Sequence, residues 1–104
     1  MAKKGRKTKK KAPADRWFVY MVRCADGTLY TGITKDVKRR CKQHNAGTAS
    51  RYTRTRLPVK LVYQEVQRSR SLALKREAAI KAMTRRQKMA LIGSVKIRGK
   101  QHDR

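Results

Sequence analysis

The stretch Trp17-Phe18-Val19-Tyr20-Met21-Val22-Arg23-Cys24-Ala25-Asp26-Gly27-Thr28-Leu29-Tyr30-Thr31-Gly32-Ile33 decides the fold. Its first six residues are β-formers and are apolar at successive positions. A strand of that kind is covered on both faces, so it belongs in the middle of a sheet. Asp26-Gly27 is a hairpin-turn signal, because tight turns between antiparallel strands need backbone that glycine adopts freely. Leu29 to Ile33 is then the returning strand. Gly32 inside it marks a bulge or a place where another group approaches the backbone closely.

Downstream, Asp36 can cap a helix and Gly47 can end it in the left-handed region. Helical spacing puts Val37, Arg40, Cys41 and His44 on one stripe of that helix, with Lys38, Arg39 and Lys42 pointing elsewhere. An inward stripe carrying an arginine and a histidine is unusual for a helix that only packs. Ala49 to Leu57, closed by Pro58, reads as a polar and basic loop with Arg51, Tyr52, Arg54 and Arg56. Val59 to Val66 is a third strand. Ser69 or Ser71 begins a second helix to about Met83, packing through Leu72, Ala79, Ile80 and Met83. Thr84-x-x-Gln87 is a capping box, so a third helix should run to Gly93 with Met89 and Ile92 inward and Leu91 nearby. The order β-β-α-β-α-α is an α+β layout: a small three-stranded antiparallel sheet flanked by helices.

Apolar residues make up 38% of the 104-residue chain and are concentrated between Trp17 and Gly93. That leaves a basic arm over 1–16, expected to be disordered, one domain over 17–93, and a basic flexible tail over 94–104. The formal net charge is +24, from 30 Lys+Arg against 6 Asp+Glu. The arm and tail hold less than half of that excess, so the domain itself is strongly basic. Self-repulsion of this size opposes compaction, and a polyanion relieves it. Nucleic acid is the default partner, because neutralising its phosphates releases condensed counterions.

Other classes fit poorly. The longest apolar run, Trp17 to Val22, is far short of the ~20 residues that span a bilayer, so no membrane partner is expected. The basic start has no apolar segment behind it and is no secretory signal. Cys24 and Cys41 have neither CxxC spacing nor a second pair to complete a zinc site. Two reduced thiols in a cytoplasmic monomer is the simplest expectation. No serine elbow, activated cysteine or Gly-rich phosphate loop supports a triad hydrolase or a nucleotide hydrolase.

Carboxylates are scarce, and Glu77 alone sits in the middle of a helix. Its plainest role is an ion pair with Lys81 at i+4, worth a few tenths of a kcal/mol, and spacing alone favours it. Its sharper role is as sole protein ligand of a divalent cation, since Mg²⁺ keeps several waters and needs only one or two carboxylates besides substrate phosphate. Taken singly, His44 is more often a packed histidine than a catalyst. Arg40 suits a phosphate clamp or an ion pair, and Tyr20 and Tyr30 on adjacent strands are by base rate packing residues.

Together these residues resemble something specific. Phe18-Val19-Tyr20 followed by Tyr30-Thr31-Gly32 is similar to the paired tripeptides of the GIY-YIG nuclease family. The resemblance continues through Arg40 and His44, reaches Glu77, and covers Trp17 to about Ile92. Among its members, the small stand-alone bacterial YhbQ/YazA-like proteins are the most similar, in which the domain is almost the whole chain. Phe18 stands where the first tripeptide has glycine, and Thr31 where the second has isoleucine. Both are backbone-forming positions. The asparagine that many members carry later has no clear counterpart, and Lys81 occupies that neighbourhood.

The resemblance implies a three-stranded antiparallel sheet with helices, and a set of roles. Tyr30 would help deprotonate the attacking water, together with Tyr20 or His44. Tyrosine side chains titrate near 10, so Arg40 or the metal would have to favour the anion. Arg40 would hold the scissile phosphate, and Glu77 would bind one Mg²⁺ or Mn²⁺ that stabilises the leaving oxygen. Arg39, Lys42, Arg51, Arg54, Arg56 and Lys81 are the cations expected to meet the phosphate backbone.

The leading expectation is thus a metal-dependent endonuclease hydrolysing phosphodiester bonds in DNA, of the structure-selective kind used in repair or recombination. A second reading is a catalytically silent module of the same fold that binds DNA or RNA. A pure binder has little use for a carboxylate among its cations. A structural basic protein of ribosomal type explains the charge but not the Arg40 and His44 stripe.

Overall fold

The computed structural model describes residues 16–103. The basic arm expected over 1–16 lies outside the described residues apart from Arg16. The elements are β1 (Trp17–Arg23), β2 (Leu29–Thr34), α1 (Val37–Asn45), α2 (Arg51–Arg54), β3 (Lys60–Gln67), α3 (Arg70–Lys81) and α4 (Arg85–Asp103). The three strands form one antiparallel sheet in the order β2-β1-β3, so the doubly apolar strand is central, as its pattern requires.

Alternation along β1 divides the molecule into two layers. Val19 and Met21 point to one side and pack with Tyr63, Ala73, Ile80 and Ile92 beneath α3 and α4. Tyr20, Val22 and Cys24 point to the other, where Val59, Tyr30, Cys41 and Leu57 join them beneath α1. The β1–β3 pairing is irregular between Met21 and Val22, where β3 carries Val62 as an extra residue, so the irregularity lies in β3 and not at Gly32. Gly32 is instead the site of a close approach. It faces Tyr20 across the strands, and a Cβ there would lie 2.7 Å from the Tyr20 hydroxyl.

The local signals act as their chemistry dictates. Asp26 Oδ1 accepts hydrogen bonds from the Thr28 amide (3.0 Å) and hydroxyl (2.6 Å), and Gly27 takes φ +88. Asp36 caps α1 by accepting from the Arg39 amide at 3.0 Å, and Gly47 turns the chain beyond it at φ +80. Ser69 is the cap of α3, accepting from the Leu72 amide at 3.1 Å. Thr84 and Gln87 bond reciprocally at 2.9 and 3.1 Å, completing the capping box of α4.

Four local expectations are corrected. The segment 49–57 is not all loop, because Ser50 accepts from the Tyr52 and Thr53 amides and winds α2. On α3 the inward stripe is Ala73, Glu77 and Ile80, while Leu72 and Ala79 are exposed. The apolar runs Leu72-Ala73-Leu74 and Ala78-Ala79-Ile80 permit either phase, and tertiary packing selects one. Met89 is exposed, and Ile92 carries the contact of α4 with the core. Finally, α4 does not end at Gly93. That residue lacks the positive φ of a helix stop, no proline follows, and helical backbone runs on to Asp103, through most of the segment expected as a flexible tail.

Ile80 is fully buried at the centre of the α3 layer. Ile80→Ala should therefore lower the unfolding free energy by about 2–5 kcal/mol in urea titration, while leaving the α1 side of the sheet intact.

Candidate active site

Even-numbered residues of β1 and β2 share the face covered by α1, which brings Tyr20 and Tyr30 to the inward stripe of that helix. The buried residue at the end of the stripe is His44, only 1% exposed. Its Nε2 lies 2.8 Å from the Tyr20 hydroxyl, and its Nδ1 lies 2.8 Å from Oγ1 of Thr53, itself fully buried. The Thr53 hydroxyl also reaches the Ser50 carbonyl at 3.4 Å.

Counting donors assigns the tautomer. With the proton on Nδ1, His44 donates to Thr53, Thr53 donates to Ser50, and Tyr20 donates to Nε2. With the proton on Nε2, the Tyr20 phenol would have no acceptor among the described residues. A buried donor without an acceptor costs about 1–3 kcal/mol, so the first arrangement holds. Nε2 is therefore a lone pair pointing at a phenolic proton.

Electrostatics keeps this pair neutral at rest. Burial, helped by neighbouring Tyr30, pushes the Tyr20 phenol far above its ordinary value, and Arg40 only partly offsets it. Burial, reinforced by the Arg40 cation, holds the His44 imidazole below the usual histidine value. Arg40 is half-buried, and its Nε donates to Gln43 Oε1 at 2.9 Å. Tyr30 is also half-buried and meets the His44 ring edge-on, with centroids 5.2 Å apart. Arg40 opens on a groove of about 390 Å³ that it shares with Trp17, Lys35 and Arg39. A larger groove of about 760 Å³, lined by Lys42, Asn45 and Leu61, adjoins none of these four groups, so size alone does not mark the chemistry.

Tyr20, Tyr30, Arg40 and His44 thus come together. Glu77 does not join them through any hydrogen bond or ion pair of the described residues. It sits on α3, which packs on the opposite side of the sheet, with its side chain 18% exposed and Oε2 3.2 Å from Lys81 Nζ. Both the ion pair and an inward-tilted carboxylate are therefore present at one residue. Among the described residues there is no cluster of three metal-ligating side chains, so any cation here would depend on water and substrate for its remaining ligands. A single half-buried carboxylate offers too few ligands for a closed structural site, and Lys81 competes with any cation for it.

Of the expected phosphate-binding cations, Arg39, Lys42, Arg51 and Arg54 are exposed. Lys81 is held by Glu77. Arg56 pairs with Asp26 Oδ2 at 3.0 Å. Sequence reading missed Thr53 and Tyr52 as parts of the site. The cap preference of Ser50 could have shown the turn that carries them, but nothing local shows that Thr53 turns inward to His44.

A sheet in the order β2-β1-β3 that brings two tyrosines to an arginine and a histidine on the first helix is the layout of a nuclease-type fold. The chain belongs to the GIY-YIG family: the GIY-YIG catalytic domain matches residues 16–90. A UPF0213 protein of Staphylococcus aureus is 54% identical over 78 residues, which span 75% of this chain and 95% of that protein. The solution NMR structure of a UPF0213 protein from Bacillus halodurans is 40% identical, with a TM-score of 0.50 over 75% of this chain and 83% of that one. A second NMR structure, of a protein from E. faecalis, is 37% identical, with a TM-score of 0.54 over 79% and 88%. Among the described residues no helix is long and apolar enough to cross a membrane.

The depressed His44 value has a thermodynamic consequence. The unfolded chain takes up a proton first as pH falls, so the stability held by neutral His44 is complete above about 6.5 and drains away as pH drops toward the lower folded value. The urea midpoint should fall more steeply between pH 7 and 5 in the wild type than in His44→Gln. Parallel curves would mean that the imidazole is not held neutral.

Proposed function

We propose that this protein is a divalent-metal-dependent endonuclease that hydrolyses phosphodiester bonds in DNA. The observation that carries the reading is the buried Tyr20–His44–Thr53 chain with Arg40 and Tyr30 against it. Packing alone does not need a histidine bonded at both nitrogens beside a guanidinium, because apolar side chains would fill that space without the cost of burying polar groups.

In this reading Arg40 receives the scissile phosphate and offsets the charge that grows on it. Arrival of that anion also offsets the Arg40 charge that reinforces the effect of burial on His44, so imidazole basicity rises when substrate is present. Tyr30, the half-exposed member of the pair, meets the attacking water. Tyr20, fully buried, donates to Nε2 of His44 and holds the imidazole in place. Glu77 would hold one Mg²⁺ or Mn²⁺, which when bound supplies Lewis-acid stabilisation of the leaving oxygen. Arg39, Lys42, Arg51, Arg54, Arg56 and Lys81 supply sequence-independent contacts to the backbone. Two free thiols, Cys24 buried and Cys41 half-buried, suit a reducing cytoplasm.

One observation favours the second reading, a module that binds nucleic acid, RNA included, without cutting it. The Glu77 carboxylate is paired with Lys81, and a cation must displace that partner. Cleavage of labelled linear, single-stranded, flap and branched DNAs in Mg²⁺, Mn²⁺ or EDTA separates the two. The expected result is metal-dependent cutting that Glu77→Ala abolishes and Tyr30→Phe slows by about 100-fold or more. Either variant cutting at the wild-type rate overturns that residue's role. Tight binding without cutting in any metal supports the silent module. Deleting residues 1–16 should flatten the dependence of log affinity on log salt by ~0.9 for each phosphate that the arm neutralises. An unchanged slope would place the arm away from the backbone.

A further inference from the structure

The contacts that begin at His44 continue outward past the cluster described so far. Tyr30 meets His44 edge-on and stacks on Tyr52, with centroids 6.0 Å apart and planes 24° apart. The guanidinium carbon of Arg56 lies 3.9 Å from the centre of the Tyr52 ring. Arg56 does not wander there. Its Nε donates to Asp26 Oδ2 at 3.0 Å, and one terminal nitrogen donates to the Tyr52 carbonyl at 2.7 Å. Both bonds use the edge of the guanidinium plane, so one face lies on Tyr52 and the other is left for stacking.

The pair is set beside solvent. Tyr52 is 39% exposed, and its neighbours Arg51 and Arg54 on α2 are exposed cations. A staple between α2 and the hairpin turn explains the Arg56–Asp26 bond. It does not explain why the Arg56 guanidinium, its side chain 33% exposed, is laid on an aromatic ring at the edge of a basic turn, one ring away from the candidate nucleophile-activating tyrosine. Aromatic rings and arginine planes interleaved with cations are what an unpaired nucleic-acid strand recognises, since every base has a π-face and every linkage a phosphate. Bases inside a duplex have both faces covered by neighbours and cannot use such a surface.

We infer that the outer face of the Arg56 guanidinium, held flat by Tyr52, forms a stacking platform for an unpaired nucleobase beside the phosphate that Arg40 holds. The preferred substrate is then DNA with single-stranded nucleotides at the point of cutting. This rests on the nuclease reading for the identity of the neighbouring phosphate, but the stacking itself can be read without cleavage.

The test is 2-aminopurine fluorescence of a short single-stranded DNA, and of the same strand in a duplex, titrated with the full chain in EDTA. Wild type and Tyr52→Phe should quench the single-stranded probe. Tyr52→Leu, which keeps apolar contact with Tyr30 but gives the Arg56 guanidinium no ring to lie on, should lose the quench. It should also bind the single strand about five-fold or more weakly, with a smaller change for duplex. Arg56→Lys, which keeps the charge and removes the plane, should reduce the quench while leaving the salt slope unchanged. Circular dichroism confirms that each variant is folded. Quenching by Tyr52→Leu equal to wild type, or equal losses for single strand and duplex, overturns the platform. Cutting in Mn²⁺ with no quench would sink the platform and spare the nuclease reading. A Tyr52-dependent quench with no cutting in any metal would do the reverse.

Discussion

The buried imidazole of His44 is the constraint on which the active face depends. It lies on α1 and bonds to Tyr20 on the central strand and to Thr53 on α2, so one side chain fixes three elements at 2.8 Å on each side. Each of these groups is buried, and removing any one leaves a polar atom without a partner, at a cost of about 1–3 kcal/mol. The geometry is therefore strongly coupled. Gly32 belongs to the same constraint, because the Tyr20 ring occupies the space where a side chain at that position would stand.

The sheet separates this polar device from what stabilises the molecule. On the far side, Val19, Met21, Ile80 and Ile92 form an apolar layer, edged by Glu65. Burial would raise that carboxyl, but hydrogen bonds from Arg76, Tyr63 and Gln67 win and hold it below its ordinary value. One side of the sheet can thus carry strained electrostatics because the other supplies the packing. Glu77 emerges from the packing side, on the same stripe as Ala73 and Ile80, which makes it the residue whose link to the chemistry is least direct.

The charge distribution follows the same division of labour. The acids on the α1 side are already engaged. Asp26 is bound by Thr28 and Arg56, and Asp36 caps α1. The surface around Arg40 therefore carries little uncompensated negative charge, and exposed Arg39, Lys42, Arg51 and Arg54 keep it strongly basic.

By itself the sequence determined the strand order, the hairpin, the caps at Asp36 and Thr84, and the stripe that turns Arg40 and His44 inward. Those features rest on local physics: side-chain periodicity, the backbone freedom of glycine, and short polar side chains that bond nearby amides. The tertiary structure decided the rest. Thr53 lies beyond the end of the His44 helix and looks like any loop threonine until α2 folds it inward. The phase of α3, and with it the inward tilt of Glu77, was open because neighbouring apolar residues allow two helical faces, and only contact with β1 and β2 chooses between them. The tautomer of His44 is set by partners on two other elements, so no reading of its neighbours along the chain could assign it.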